Sequence, residues 1–220
     1  MKIKNHYETF WKSKKGLESF LGYERNRVLP SLFPRTGKVL DLACGDGAVA
    51  QYLKNNLGLD VVGFDVSEIA LKESKKRGIK VVLGDVEKKL PFDNKSFDVV
   101  FWGDNIEHLF DPGAVVVEIA RVLKSGGKLI LSCPNMGYWK YRLYYLFKGR
   151  LPDTEWTGNP PWAWSHIRFF NKSLILELLN INNFKVNKFI GINRLFPDKY
   201  LTVYKPGLFG MIIVIQASKP

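Results

Sequence analysis

Three residues close together in the stretch 38–50, Lys-Val-Leu-Asp-Leu-Ala-Cys-Gly-Asp-Gly-Ala-Val-Ala, could together hold a ligand: Asp41, Gly45 and Gly47. Glycines at a strand-to-helix turn let a ligand approach the backbone, and the helix start offers N–H groups without partners. The spacing Gly45-x-Gly47-x-x-Ala50 also satisfies the dinucleotide fingerprint, so alone it leaves two ligand classes open. Asp41 separates them. A carboxylate aimed at that turn repels a diphosphate and suits a ligand carrying an ammonium or sulfonium charge. Asp65 ends the next apolar run, where a carboxylate can accept bonds from two ribose hydroxyls; the alternative is an exposed turn aspartate. His108 follows the fourth apolar run and could take a proton from an acceptor near neutral pH. Packing or capping is its other role. His166 and Arg168 fall on one side of an extended segment. They could bind a phosphate or carboxylate together, or satisfy a loop carbonyl and an acidic neighbour. No metal ligands are assigned.

These residues need a scaffold of alternating strands and helices. Val39–Ala43 reads as a buried parallel strand and Ala48–Leu57 as the helix after it. Asp60–Asp65, Ile79–Leu83, Phe97–Trp102 and Lys128–Cys133 read as further strands. Ser67 caps a helix over Glu68–Arg77, and Gly126-Gly127 ends the helix before the fifth strand. Asn171 caps Lys172–Leu179, and Phe184–Ile190 with Leu208–Ala217 form a closing pair of strands. Ahead of this core, His6 to Leu29 predicts one or two helices with Tyr7, Phe10, Trp11, Leu17, Phe20 and Leu21 on an apolar stripe. Between the fifth strand and the last helix, Tyr138–Lys148 predicts an aromatic helix, bordered by Lys140, Arg142, Lys148 and Arg150. Residues 151–165, with Trp156, Trp162, Trp164 and three prolines, predict no regular structure and read as an insertion over the site.

The 220 residues suffice for one domain with a substantial core, and 46% apolar with 25% charged residues is ordinary for a globular chain. No stretch reaches the roughly 20 apolar residues of a membrane helix, and Met1 to His6 lacks the apolar core of a signal peptide. A cytoplasmic location is the expectation. Cys44 and Cys133 would end strands separated by a third, about 10 Å apart, beyond the roughly 7 Å reach of a disulfide. The net charge of +12 is uneven: +6 over residues 1–38, −2 over 39–134 and +8 over 135–220. Basic flanks around an acidic core suit an anionic acceptor, or are a solvated lysine-rich surface.

Asp41-x-Ala43-Cys44-Gly45-x-Gly47 resembles motif I of the class I S-adenosylmethionine-dependent methyltransferases. The series Phe97-Asp-Val-Val, Ile106-Glu-His108-Leu, Asp111-Pro112, Glu118-Ile-Ala-Arg121-Val-Leu-Lys-Ser-Gly126-Gly127-Lys-Leu-Ile resembles the central block of the UbiE/UbiG-like members. Pro134-Asn135-x-Gly137-Tyr138-Trp139-x-x-Arg142-Leu-x-x-Leu-x-Lys-Gly149-Arg-x-Pro152 resembles the MetW-like proteins, and His166-Ile-Arg168-Phe-Phe resembles unassigned small-molecule and glycan methyltransferases. Ala43 departs from the glycine usual in MetW-like proteins. The resemblance implies a Rossmann-like, doubly wound seven-stranded α/β sheet of order 3-2-1-4-5-7-6 with the last strand antiparallel. Within one domain it implies a helical lid over 1–36, a donor-binding core over 37–134, an aromatic acceptor cap over 135–170, and a final helix and hairpin over 171–220.

It further implies S-adenosylmethionine as cofactor and S-adenosylhomocysteine as product. The donor would be held by Asp41, Ala43, Cys44, Gly45, Gly47, Asp65, Val66, Asp85, Val86, Gly103 and Asp104, with Tyr7 and Trp11 closing over it. Asp65 would hold the ribose, and Asp85 with Val86 the adenine. Asn135, Tyr138, Trp139, His166 and Arg168 would meet a small-molecule, glycan or lipid-linked acceptor, and His108 would be the catalytic candidate. Rival readings are a partner-dependent donor-binding protein without activity of its own, an NAD-dependent oxidoreductase and an RNA methyltransferase. Gly103-Asp-Asn-Ile stands where amino-directed base methylation has an Asp/Asn-Pro-Pro-Tyr type motif, which argues against that reaction on a base and leaves an RNA acceptor open.

Overall fold

A computed structural model describes residues 2–13, 19–22, 24–155, 158–196 and 199–220. Leu17, the side chain of Leu21, and Trp156 lie outside the described residues. The centre is a twisted sheet whose first four strands, β1 (Lys38–Leu42), β2 (Asp60–Asp65), β3 (Lys80–Leu83) and β4 (Phe97–Gly103), run parallel. Helices cover both faces of its middle, so β1 and β4 carry apolar residues on both sides. Val39, Leu40 and Leu42 of β1, and Val99, Val100 and Trp102 of β4, are fully buried. Each such side chain contributes about 1.5–3 kcal/mol of burial, which fixes the strands that carry the site.

The next strand is β5 (Leu123–Pro134), and after it come β6 (Lys185–Phe196), β7 (Lys199–Thr202) and β8 (Ile212–Ser218). The sheet order is β3-β2-β1-β4-β5-β8-β6-β7. Its first seven positions are the expected order, with β8 as the antiparallel strand between β5 and β6. The four-residue β7 adds an unforeseen edge antiparallel to β6. The crossover helices are α2 (Ala48–Leu57), α3 (Glu68–Lys76) and α4 (Pro112–Val122), with α6 (Lys172–Ile181) before β6. The predicted caps form: Ser67 accepts from the Ala70 amide and Asn171 from the Leu174 amide.

Three local expectations need correction. The helix before β5 ends at Val122, not at the glycine pair. Phe97 pairs with Leu123 but Val99 pairs with Lys128, so residues 124–127 loop out of the ladder, with Gly126 at φ 73° at the bend. The last strand does not begin at Leu208. Pro206–Phe209 forms a short helix, α7, because Gly191 and Gly210 pack backbone against backbone there, and a Cβ on Gly210 would lie 2.7 Å from the Gly191 Cα. Of the one or two helices expected over His6–Leu29, one α-helix forms, and among the described residues it ends at Ser13. After α1 (Lys2–Ser13) come 3-10 turns at Phe20–Gly22, Glu24–Arg27 and Leu29–Ser31, the last shaped by Pro30.

Candidate functional site

From β1 the chain crosses to β2 on one side, while β4 lies on the other side of β1. This reversal opens a crevice at the carboxyl ends of β1 and β4, the usual ligand position in such sheets. A cavity of about 260 Å³ fills it, lined by Asp41, Ala43, Cys44, Gly45, Asp65, Gly103, Asp104 and His108, with Tyr7, Phe10 and Trp11 above and Arg25 and Phe101 beside. A smaller lobe shares Tyr7, Ala43, Asp65, Asn105 and His108, and extends to Val66, Asp85, Val86 and Glu87. Gly47 stands behind the bend at φ 79°, where a Cβ would collide with the Ser74 hydroxyl.

Asp41 is 2% exposed, and its carboxylate accepts from the Ala50 amide in the first turn of α2. Its Oδ2 has no hydrogen-bond partner. Burial pushes the group up to about 7, against the pull of Arg25 and with a further push from Asp65. An orphaned carboxylate oxygen in a cavity wall requires a cation or a donor to complete it. That is the chemistry of an amino-acid ammonium and the reverse of what a diphosphate needs, so the residues present fit the methionine end of the donor. Asp65 holds the glycine bend as well as the cavity wall. Its Oδ2 accepts from the Gly45 amide at 2.9 Å and its Oδ1 from the Ser67 amide at 2.9 Å. Each oxygen keeps a second lone pair for a ribose hydroxyl. Asp85 accepts from the Glu87 amide, and Glu87 in turn accepts from the Phe110 and Asp111 amides, fixing the wall of the smaller lobe.

Helix α1 closes the top. Glu8 accepts from the Glu68 amide at 2.7 Å and from the Ser67 hydroxyl, pinning α1 to the first turn of α3. The Trp11 indole then lies over Gly45, where an added Cβ would sit 2.7 Å from Trp11 Cζ2. Gly45 also holds φ +55°. Gly45→Ala is therefore expected to displace Trp11 and weaken S-adenosylhomocysteine binding about tenfold or more, read by calorimetry.

His108 Nδ1 lies 3.1 Å from the Ser165 carbonyl oxygen, which can only accept. Burial and His166 push the imidazole down to about 4. It is therefore neutral through the physiological range, and the titration near neutrality expected from the sequence is removed by its surroundings. With the donor saturating, so that Asp41 is held ionised by it, turnover should show no limb between pH 6 and 8 that His108→Gln removes; a limb lost in that variant would restore His108 as a general base.

None of the five residues expected at the acceptor lines the cavity, and of them His166 stands at its edge, behind His108. Asn135 is fully buried; its Nδ2 donates to the carbonyls of Pro206, Gly207 and Gly210, and its Oδ1 accepts from Gly137. Tyr138 is 4% exposed and packs edge-on to Tyr141. Trp139 is 38% exposed on the outer surface. Arg168 donates to the Leu109 and Phe110 carbonyls, and His166 lies against Thr154 and Glu107. They do not make a shared anion site. The aromatic helix α5 (Trp139–Lys148) buries none of its residues, so it does not cover the cavity. Among the described residues of 135–170, only Ser165 lines it. Reading the sequence missed Arg25, whose guanidinium pairs with Asp104, itself held by the Ser132 hydroxyl at 2.7 Å. It also missed Asn105, which accepts from the Trp102 indole. A lone arginine in a turn before β1 gave no signal. No helix among the described residues is long and apolar enough to cross a membrane.

A family model described as "Methionine biosynthesis protein MetW" matches residues 24–216. The match reaches across the donor-binding core, beyond the stretch after β5 where the sequence resemblance was confined, and it includes the departure at Ala43. Among curated proteins, the chain is 36% identical over 110 residues to a sarcosine/dimethylglycine N-methyltransferase of Aphanothece halophytica, covering 46% of this chain and 39% of that one. It is 35% identical over 136 residues to a demethylmenaquinone methyltransferase of Staphylococcus aureus, covering 56% of each. The aligned stretches thus span about half or less of those relatives. Among solved structures, a possible histamine N-methyltransferase of Thermotoga maritima superposes with TM-score 0.69 at 22% identity, covering 100% of this chain and 97% of that chain. A putative methyltransferase of Haloferax volcanii, in complex with the Trm112 activator, gives TM-score 0.73 at 17% identity, covering 99% and 97%. The fold is that of the class I S-adenosylmethionine-dependent methyltransferases, and these similarities imply S-adenosylmethionine as the cofactor.

Proposed function

The chain belongs to the MetW family, and from that premise we propose that it binds S-adenosylmethionine beneath α1 and transfers the methyl group to a small-molecule, sugar or lipid-linked acceptor. The observation that carries this reading is the buried Asp41 carboxylate, with one oxygen capping α2 and the other unpartnered in the cavity wall. When bound, the donor supplies a methyl group already activated on a sulfonium, so positioning and water exclusion can supply most of the catalysis. Asp41 and the Gly45–Gly47 backbone would hold the amino-acid end, Asp65 the ribose, and Asp85 with Val86 the adenine. Tyr7 and Trp11 would exclude water from above. The Arg25–Asp104 pair, beside Gly103, forms the wall from which an acceptor could be oriented. We keep the lid at 1–36 and the donor core at 37–134, and narrow the acceptor-facing part of 135–170 to the segment around Ser165.

Calorimetric titration with S-adenosylhomocysteine and NADH tests the reading. S-adenosylhomocysteine should bind at micromolar concentration and NADH should not; preferential binding of NADH would overturn it. A second reading, in which the chain binds the donor but needs a partner protein for turnover, is favoured by the exposed face of α5, where Leu146 is 71% and Phe147 77% exposed. Turnover by the purified chain alone on any acceptor would remove that second reading.

A further inference from the structure

We propose that Glu107, His108 and His166 form a binding site for one divalent transition-metal ion of the Zn²⁺ type, at the edge of the cavity. One donor atom from each residue lies within 4.8 Å of the other two. Ligands about 2.0–2.2 Å from a tetrahedral ion sit roughly 3.4 Å apart, so each would move inward by about 1 Å or less. The surroundings set the tautomer of His108 and permit the one needed at His166. The Ser165 carbonyl takes the His108 Nδ1 proton at 3.1 Å, which leaves the Nε2 lone pair free to ligate. The Thr154 hydroxyl lies 2.7 Å from His166 Nδ1, and the other ring nitrogen faces Glu107 Oε1 at 3.8 Å; when the hydroxyl accepts, that second nitrogen has its lone pair free to ligate. A metal-ligating histidine is ordinarily oriented by an outer oxygen partner in this way. The two rings meet edge to face with centroids 4.7 Å apart.

Glu107 supplies the independent indication. It is 3% exposed, and its Oε2 has no hydrogen-bond partner. A proton shared with His166 does not complete the group, because 3.8 Å exceeds the roughly 2.7–3.2 Å of a hydrogen bond. A buried carboxyl with an unpartnered oxygen, facing two histidines whose ligand atoms lie within 4.8 Å of it and of each other, suits a cation in their midst. Two nitrogens and one oxygen suit Zn²⁺, Co²⁺ or Fe²⁺ over Mg²⁺ or Ca²⁺. His108 also lines the cavity beside Asn105, so an ion held by the three residues would stand at the edge of the space where an acceptor would enter. Ion binding itself does not depend on the methyltransferase reading. Its use, polarising an acceptor oxygen, does.

The test is titration of the tag-free, chelator-treated full chain with Co²⁺, read by visible d–d absorption and by calorimetry. One Co²⁺ per chain is expected, with an absorption band of tetrahedral or five-coordinate geometry that Zn²⁺ abolishes. His166→Ala and Glu107→Gln should each weaken Co²⁺ binding at least 30-fold. His166→Ala should leave S-adenosylhomocysteine binding unchanged, which shows the fold intact. No stoichiometric Co²⁺ binding by the unaltered chain, or binding that survives both substitutions, would overturn the proposal. S-adenosylhomocysteine binding without Co²⁺ binding defeats the metal site alone; the converse defeats the donor reading alone.

Discussion

Asp41→Asn is expected to weaken S-adenosylhomocysteine binding about 100-fold while raising the melting temperature of the ligand-free protein at pH 8 by several degrees. Both effects come from one buried charge. The carboxylate ionises at about 7 in the folded chain because burial disfavours its charged form. An aspartate in an unfolded chain ionises near 3.9. Between those values the folded state holds a proton that the unfolded state has lost, so the group's contribution to stability is fully present below about pH 4. It is lost as pH rises through about 7. Asparagine keeps the oxygen that accepts from Ala50 and carries no charge, so the gain from substitution should be largest at pH 8 and vanish toward pH 4. An ammonium-bearing ligand reverses the balance by pairing with the ionised form. Its affinity for the unaltered chain should therefore rise with pH from 6 to 8, with one proton released on binding at pH 6. Calorimetry in buffers of different ionisation enthalpy reads that proton. A variant that loses affinity without gaining stability would place the Asp41 charge elsewhere.

Asn135→Ala is expected to destabilise the protein by about 2–4 kcal/mol and to leave S-adenosylhomocysteine affinity unchanged. The side chain, itself fully buried, joins the end of β5 to α7 through the carbonyls of Pro206, Gly207 and Gly210. Truncation takes the side-chain partner from the Gly207 and Gly210 carbonyls and the Gly137 amide, while the Pro206 carbonyl keeps the Gly210 amide, and it leaves a small void beside them. Chemical denaturation and calorimetry on the same variant separate the roles. Loss of acceptor turnover without loss of stability would return Asn135 to the site.

Asn135 also shows where sequence reading stops. Pro134-Asn135 stands at the carboxyl end of a strand, where acceptor residues often lie, and its hydrogen-bond partners are more than 70 residues away. No local pattern announces such a staple. The parallel strands were legible for the opposite reason: Val39–Ala43 and Phe97–Trp102 are apolar but for one aspartate each, because both faces of the sheet centre are covered. Asp41, Gly45 and Gly47 were legible because backbone geometry and a single charge restrict what each position can hold. α5 misled through its composition. Its aromatics imply burial by preference, yet Tyr145 is 55% and Phe147 77% exposed, with basic side chains between. The cluster of Glu107, His108 and His166 was hidden because two of its members adjoin and the third arrives from the far end of the insertion.

The central claim is that the glycine bend and Asp41 receive a cationic amino-acid tail. A crystal structure of the chain with S-adenosylhomocysteine tests it most directly. The ammonium nitrogen should lie within about 3 Å of Asp41 Oδ2, the adenine in the lobe of Asp85 and Val86, and Trp11 over Gly45. A ligand whose ammonium lies away from Asp41, or a diphosphate seated on the bend in its place, would contradict the account.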